Sequence, residues 1–237
     1  AADTLLPLLK AKDGEVVGAA ARAIGRAGAR GQAALEALRA TLAHRHALAR
    51  AGAVDGLASA DATGLLAAGQ DLLRDKAHEP RIALADALGA LAAGEGHARA
   101  VGLLASLLAD PSWRVRAAAY DAATAVWDGE AVPLLVERLR VEPGRLRGDV
   151  LRALRTLCGQ DAGTDPDLWA AWWKGKGAGF HPGPRPAPDR YGRVRRPAAP
   201  GEKGAPGETR TAAFFALTLA STRLAFLFDF SGSMRDP

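Results

Sequence analysis

The stretch that decides the fold is VVGAAARAIG at residues 16–25, two apolar residues followed by small residues and a second apolar turn. Similar stretches recur as PRIALADALG at 80–89, VRAAAYDAA at 115–123 and LRGDVLRAL at 146–154, and a weaker copy starts at His46. The copies start 30 to 35 residues apart. Apolar residues three and four positions apart predict amphipathic helices. A repeat of this length with two helices in each unit is typical of a solenoid.

Second helices are predicted between these copies, at residues 33–42, 65–73, 100–108 and 132–139, where apolar residues keep the helical spacing. Turn-forming pairs such as Asp-Gly and Asp-Pro separate the units. We therefore predict a mainly α chain in which residues 1–161 form an α-solenoid of four to five helix pairs without a strand. Neighbouring units of such a solenoid bury one continuous core between them.

The segment DPSWRVR at residues 110–116 resembles the start of a HEAT repeat, whose first helix carries the pattern D-P-x-x-x-V-R. The resemblance extends over residues 4–160, although the copies at 46 and 146 depart from the pattern. It implies an armadillo-like helical scaffold that binds other proteins and catalyses no reaction. It also implies that the small Ala and Gly positions let paired helices approach closely.

A short helix with three tryptophans is predicted at residues 162–174. Asp165 fits the N-cap and Pro166 the first helical position. Trp169, Trp172 and Trp173 then share one face of the helix, because their spacing is three and four residues. These rings could form a ligand cage or cover the open end of the solenoid core. We favour the cap, since the terminal unit of a solenoid would otherwise expose its core.

Residues 175–210 are predicted to be a basic linker, because they contain seven prolines and eight glycines and cannot form a packed core. Residues 1–174 hold 21 basic and 21 acidic side chains, whereas residues 175–237 hold 10 and 5, so the net charge of +5 arises entirely after residue 174. A nucleic-acid reader normally collects such charge on a folded face, so no nucleic-acid partner is expected. A repeat protein that binds nucleic acid through this linker is the alternative function, followed by a repeat-type lyase or a chaperone subunit.

A second kind of pattern begins at residues 223–228, where the apolar run RLAFLF predicts a buried strand and precedes DFSGSM. Asp229 and the hydroxyls of Ser231 and Ser233 are hard oxygen ligands of the kind that Mg²⁺ prefers. A plain strand-to-helix turn is one alternative interpretation. An aspartyl phosphotransferase is another, but that chemistry needs a second Asp as general acid at the position of Ser231.

This C-terminal segment resembles the opening of a von Willebrand factor type A domain, a Rossmann-like α/β fold whose metal-ion-dependent adhesion site starts with D-x-S-x-S. The resemblance covers residues 211–237, the start of a truncated domain. It implies Mg²⁺ or Mn²⁺ bound by Asp229, Ser231 and Ser233, with Asp236 as a weaker candidate beside an adjacent ion. It also implies a protein partner whose acidic residue completes the metal shell. The family takes further ligands from later loops, so the site is expected to be incomplete here.

Several remaining features limit the function classes. The chain starts without Met and ends just after the D-x-S-G-S motif, so we expect a fragment of a larger protein. Arg outnumbers Lys 25 to 6, which is typical of a GC-rich bacterial source.

No membrane span is predicted, because polar residues interrupt the most apolar stretch at 212–228. The single cysteine, Cys158, excludes a disulfide framework and is expected in the core. No zinc-ligand spacing and no catalytic constellation appear. The sequence predicts no compartment.

Overall fold

The computed structural model describes residues 2–28, 30–92, 96–177 and 179–185, together with the backbone of residues 211–214 and 217–220. The chain divides into two units, Ala1–Pro197 and Ala198–Pro237. In the first unit a short 3₁₀ helix, Leu6–Lys10, separates the first two of the following helices. They are α1 Ala2–Leu5, α2 Gly14–Arg26, α3 Gln32–Thr41, α4 Ala47–Ala60, α5 Ala62–Leu72, α6 His78–Leu91, α7 His97–Leu108, α8 Trp113–Val126, α9 Ala131–Val141, α10 Gly144–Cys158 and α11 Pro166–Lys176.

Local sequence sets where several of these helices begin. The carboxylate of Asp13 accepts a hydrogen bond from the Glu15 N–H at 2.8 Å at the start of α2. Asp165 is the N-cap of α11, with Pro166 in the first turn, as predicted, and it accepts from the Asp167 N–H at 2.8 Å. The first N–H groups of a helix have no acceptor within the helix, so each such cap stabilises the structure by about 1 kcal/mol.

The helices of the first unit alternate between two layers. In the first layer α2, α4, α6, α8 and α10 each contact the next helix of the series. In the second layer α5 contacts α7, α7 contacts α9 and α9 contacts α11. The predicted mainly helical repeat architecture is confirmed, and it is consistent with a solenoid. Helix α11 lies against α9.

One core runs between the layers from α2 to α11. Its fully buried side chains are mostly aliphatic and include Ile24, Leu57, Leu88, Leu104, Leu107, Tyr120 and Trp169. Burial of one leucine side chain stabilises the folded state by about 1.5–3 kcal/mol. Each helix pair therefore adds to the same core and depends on its neighbours for stability.

Helices α2 and α4 approach until backbone meets backbone. A Cβ added to Gly52 would lie 2.2 Å from the carbonyl oxygen of Gly18, and one added to Gly25 would lie 2.3 Å from that of Gly56. Real Cβ atoms do not reach such distances, so this spacing requires glycine at both contacts. From the sequence, small residues were expected to let paired helices approach closely. The glycines of α2 and α4 allow such an approach.

The second unit contains a hairpin of two strands, β1 Thr211–Phe214 and β2 Leu217–Ala220. The strands are antiparallel, with Thr211 opposite Ala220 and Phe214 opposite Leu217. The sequence did not predict this hairpin, because Ala is a weak strand former and pairing between strands is not a local signal. The strand predicted at residues 223–228 lies outside the described residues.

Candidate interaction surface

An arginine stands four residues after the N-cap of four successive first-layer helices: Arg50, Arg81, Arg116 and Arg147. The first three each join a carbonyl of their own turn to a carboxylate of the next unit. Arg81, for example, donates to the Ala77 carbonyl at 2.8 Å and to the two Asp110 carboxylate oxygens at 2.7 and 3.0 Å. We call these three pairs, Arg50–Asp75, Arg81–Asp110 and Arg116–Glu142, the Arg–acid ladder.

The ladder is shielded from solvent. The side chains of Arg81 and Asp110 are only 9% and 6% exposed. At the neighbouring rung, burial acts to raise the pKa of Asp75, but hydrogen bonds from Arg50 and from the Ala77 N–H outweigh it and hold the pKa below its usual value. Buried charges require this degree of hydrogen bonding, so each rung restricts how two units can stack.

Glu142 is the most heavily bonded carboxylate of the ladder. It accepts from Arg116 Nε at 2.5 Å, from Arg138 at 2.7 Å and from the Tyr120 hydroxyl at 2.7 Å. Burial opposes its charge, yet these donors together lower the pKa of Glu142. Burial, and then the bond to Glu142, raises the pKa of Tyr120 to about 12. Glu142 therefore remains ionised and the tyrosine neutral near pH 7.

A surface groove of about 350 Å³ opens beside this rung, between the first turns of α8 and α10. We call it the Trp113 groove; it is lined by Trp113, Arg116, Ala117, Glu142, Pro143, Arg145, Leu146 and Asp149. Trp113 is 52% exposed, although a tryptophan usually buries most of its surface. Pro143, Ala117 and Leu146 add apolar surface, so the groove offers a site where an apolar side chain could be buried.

Two cations flank the Trp113 groove. The guanidinium of Arg114 lies 5.0 Å from the centroid of the Trp113 ring. Arg145 is one of the residues that line the groove. In the part of the chain that the structure describes, neither side chain pairs with a carboxylate, whereas Asp149 is bound by Arg152 at 2.9 Å. The rim of the groove therefore carries uncompensated positive charge.

The three predicted cap residues lie together at the far end of the repeats. Trp169 is fully buried, and its indole N–H donates to the Gly163 carbonyl at 3.0 Å. Trp172 meets it edge to face, with ring centroids 6.2 Å apart. Trp172 and Trp173 are half-buried and pack against the core. These contacts agree with a cap, and the cap role itself stays a prediction.

His97 makes a contact that the sequence did not predict. Its Nδ1 lies 3.0 Å from the Ala92 carbonyl oxygen, and its Nε2 contacts the Asp128 carboxylate. Both partners are acceptors, so the doubly protonated ring satisfies both. The hydrogen bond to Asp128 is the main reason that the pKa of His97 is raised. The two residues are 31 positions apart, so no local pattern could pair them.

The predicted metal ligands Asp229, Ser231, Ser233 and Asp236 lie outside the described residues, and the metal site stays a prediction. Among the residues that are described, no cluster of three or more His, Cys, Asp or Glu side chains is arranged to hold a metal ion. None of the helices in that same part is long and apolar enough to cross a membrane.

Cys158 lies at the end of α10, partly buried against the core. Burial raises the pKa of its thiol to about 12. The reactive thiolate is therefore scarce near pH 7, which agrees with the predicted packing role.

The helical repeats also resemble known proteins. The family model for HEAT repeats matches residues 67–155. These residues are HEAT-like repeats. The HEAT-like region contains the complete Arg81–Asp110 and Arg116–Glu142 rungs and the Trp113 groove. The crystal structure of an engineered protein, a Northeast Structural Genomics Consortium target, is similar to the chain with 20% identity and a TM-score of 0.48, over 69% of this chain and 81% of that one. No curated protein matches the chain.

Proposed function

We propose that this protein is a non-enzymatic scaffold that binds another protein at the Trp113 groove. HEAT repeats often serve as protein-interaction scaffolds, and residues 67–155 are of this kind. The observation that carries the proposal is the large exposed ring of Trp113 beside Arg114 and Arg145, both without a carboxylate partner in the described chain.

The groove has the features of a binding site that is largely formed in advance. The bonds from Arg116, Arg138 and Tyr120 to Glu142 hold one of its walls in place. Tryptophan and arginine are the residues that most often dominate protein–protein binding energy. A partner side chain that covers Trp113 would remove its exposed area from water without first reorganising the wall.

The charges favour an acidic partner. Arg114 lies beside the Trp113 ring and Arg145 lines the groove, so a segment that combines an apolar residue with acidic residues fits both the groove and its charges. Charges at a rim accelerate association and add modest affinity, about 0.2–1 kcal/mol per exposed pair. The buried apolar residue is expected to supply most of the binding energy.

A labelled peptide that alternates glutamate and leucine is a suitable probe, with binding to the whole chain followed by fluorescence anisotropy. We expect Trp113→Ala to weaken binding about 30-fold, because truncation of a central tryptophan commonly costs about 2 kcal/mol. The double variant Arg114→Gln, Arg145→Gln should weaken binding about fivefold and reduce its salt dependence.

Arg30→Gln and Arg99→Gln provide matched controls, since both arginines are exposed, have no carboxylate partner among the described residues and lie outside the groove. A probe whose affinity is equal for the wild type and Trp113→Ala would contradict binding at the groove. If the groove and control substitutions weakened peptide binding equally, nonspecific charge attraction would explain the contribution of Arg114 and Arg145.

We also propose that Asp229, Ser231 and Ser233 form a metal-dependent module that binds Mg²⁺ or Mn²⁺, to which an acidic group of the partner supplies a further ligand. The support is the D-x-S-G-S-M sequence after an apolar run, and the fit of one carboxylate and two hydroxyls to a hard cation. The scaffold and this module would together form an adhesion or assembly protein.

Calorimetry tests this module in a chain that continues beyond Pro237 through the later loops of the resembled domain. We expect Mg²⁺ binding that Asp229→Ala abolishes, whereas the present chain gives no measurable heat, because three loop donors leave most of the octahedral shell to water. Binding heat that survives Asp229→Ala would end the proposal.

A further inference from the structure

A segment that the sequence assigned to the linker lies on the folded repeats. Residues 179–185, which we call the 179–185 segment, run across the turn that joins α8 to α9. The ring of Phe180 meets Trp172 and Trp173 edge to face, with centroids 5.1 and 6.0 Å apart. Such aromatic pairs are worth about 0.5–1.5 kcal/mol beyond their buried area.

The turn is shaped to receive the backbone of this segment. A Cβ on Gly129 would lie 2.4 Å from the Phe180 carbonyl oxygen, so the close approach requires glycine there. Asp128, next to it, is fixed by His97 and by the Glu130 N–H, which donates to it at 2.7 Å. The turn at Asp128 and Gly129 is therefore held in place by hydrogen bonds that do not involve the segment itself.

Trp127 forms the second contact that holds the segment in place, after the contacts of the Phe180 ring. With φ at 59°, it is the one non-glycine residue with a left-handed backbone among the described residues. A non-glycine residue in this region costs about 1–2 kcal/mol and persists where the surroundings hold it. Its indole N–H donates to the Gly183 carbonyl at 2.8 Å. The strained position thus places an aromatic donor against the segment.

The third such contact is made by a guanidinium. Arg185 lies over the Trp127 ring, 5.7 Å from its centroid, and donates to the Ala125 carbonyl in the last turn of α8. The C-terminal end of a helix attracts cations, and an indole face does the same. No carboxylate is needed for this recognition.

The segment sits on this surface as a ligand does, without joining the core. Gly183, Pro184 and Arg185 are exposed, and Phe180 alone packs against core residues. A cavity of about 500 Å³ lies at the same place, lined by Trp127, Trp173, Phe180, His181 and six neighbours. A segment that completed the core would fill this space.

We propose that the surface formed by Trp127, Gly129, the α8 carboxyl end and the rings of Trp172 and Trp173 is a peptide-binding groove. It recognises a Pro/Gly-rich segment that carries an aromatic residue and, five positions later, an arginine. The 179–185 segment of the same chain is its occupant and keeps the groove closed. A peptide of the same chemistry must compete with an attached occupant, whose effective concentration is on the order of millimolar.

The test measures binding in trans of a fluorescein-labelled peptide with the sequence of residues 177–187, GAGFHPGPRPA. The whole chain is used as wild type, as Arg185→Ala and as Phe180→Ala, Arg185→Ala. We expect anisotropy to show affinity about threefold tighter for the single variant, since the attached segment loses its exposed cation–π contact with Trp127 and its bond to the Ala125 carbonyl. The double variant should bind at least about tenfold tighter than the wild type, because the attached occupant is released.

Two controls make the result specific. A peptide in which Phe and Arg are replaced by Ala should not bind, and Trp127→Ala in the double variant should abolish binding of the original peptide. Equal peptide affinity of the wild type, the single and the double variant would overturn the proposal, as would binding that survives Trp127→Ala. If circular dichroism shows that the double variant does not fold, the ratio of the peptide affinities of Arg185→Ala and the wild type provides the test.

Discussion

The interface between α2 and α4 and that between α6 and α8 join neighbouring repeats by different physics. In the first, Gly18 and Gly52 bring backbone against backbone. In the second, Arg81 and Asp110 form a buried ion pair between the units. Steric contact fixes the register of the first interface, and charge pairing fixes that of the second.

The residue four positions after the N-cap shows why the interface between α2 and α4 has no Arg–acid pair. Four residues after its N-cap, α2 has the buried Val17 where later helices have arginine. His44 stands where the acid of the next turn would be, and its carbonyl accepts from Arg50. A buried arginine without a carboxylate would be costly, so arginine and acid are absent together. At the C-terminal end of this series of arginines, Arg147 donates to backbone carbonyls. Its bond to the Thr164 carbonyl is 2.8 Å long.

The largest effect is expected from breaking the charged interface. Asp110→Ala should lower the free energy of unfolding by about 3–5 kcal/mol, because it leaves Arg81 buried without its carboxylate. Urea denaturation followed by circular dichroism measures this loss. A loss below about 1 kcal/mol would show that the rung does not hold the two units together.

A smaller loss is expected at the glycine interface. Gly52→Ala should cost about 1–3 kcal/mol, because the new methyl group meets the Gly18 carbonyl oxygen and the helices must separate. The matched control is Gly102→Ala in α7, where nothing lies within 4 Å of an added Cβ. That variant should gain up to about 1 kcal/mol from helix propensity. Equal stability of both variants would contradict the close contact.

Acid should weaken the charged interface selectively. The pKa values of Asp75 and Glu142 are lowered in the folded state, so the unfolded chain binds more protons as pH falls below the usual values of 3.8 and 4.5. Their stabilisation is complete above those values and is lost as pH falls through the folded-state values.

Urea denaturation at several pH values between 3 and 7 measures this dependence. Glu142→Gln should destabilise the protein at pH 7 and make its stability less sensitive to acid. A variant that retains the full pH dependence of the wild type would exclude Glu142 as a source of it.

The smallest effect is expected from an exposed ion pair. Asp71 and Arg74 lie 3.2 Å apart, with side chains 87% and 76% exposed. Asp71→Ala should change the free energy of unfolding by less than about 0.5 kcal/mol, since water and salt screen such pairs. Comparison with Asp110→Ala isolates the contribution of burial. A large loss at Asp71 would contradict that explanation.

The sequence predicted those features that depend on neighbours along the chain. The DPSWRVR segment predicted a turn and a helix, and Asp165-Pro166 predicted the start of α11, because caps and helical spacing act over a few residues. The acceptors of Arg50, Arg81 and Arg116 were missed, since they lie 25 to 29 residues away. Likewise, the Pro/Gly-rich composition predicted a linker and the aromatic ring of Phe180 indicated a contact with a folded neighbour, but the turn between α8 and α9 that receives it could not be identified from the sequence.

The sequence by itself determined that the chain forms helical repeats, because amphipathic spacing and small residues leave each helix pair with an apolar face that only a similar pair can cover. The tertiary structure decided which side chains meet across the units, Arg81 with Asp110 and His97 with Asp128, and it left Trp113 exposed beside Arg114. The physical reason is distance along the chain. Helix formation depends on residues three or four positions apart, whereas these contacts and the groove exist only once the units are stacked.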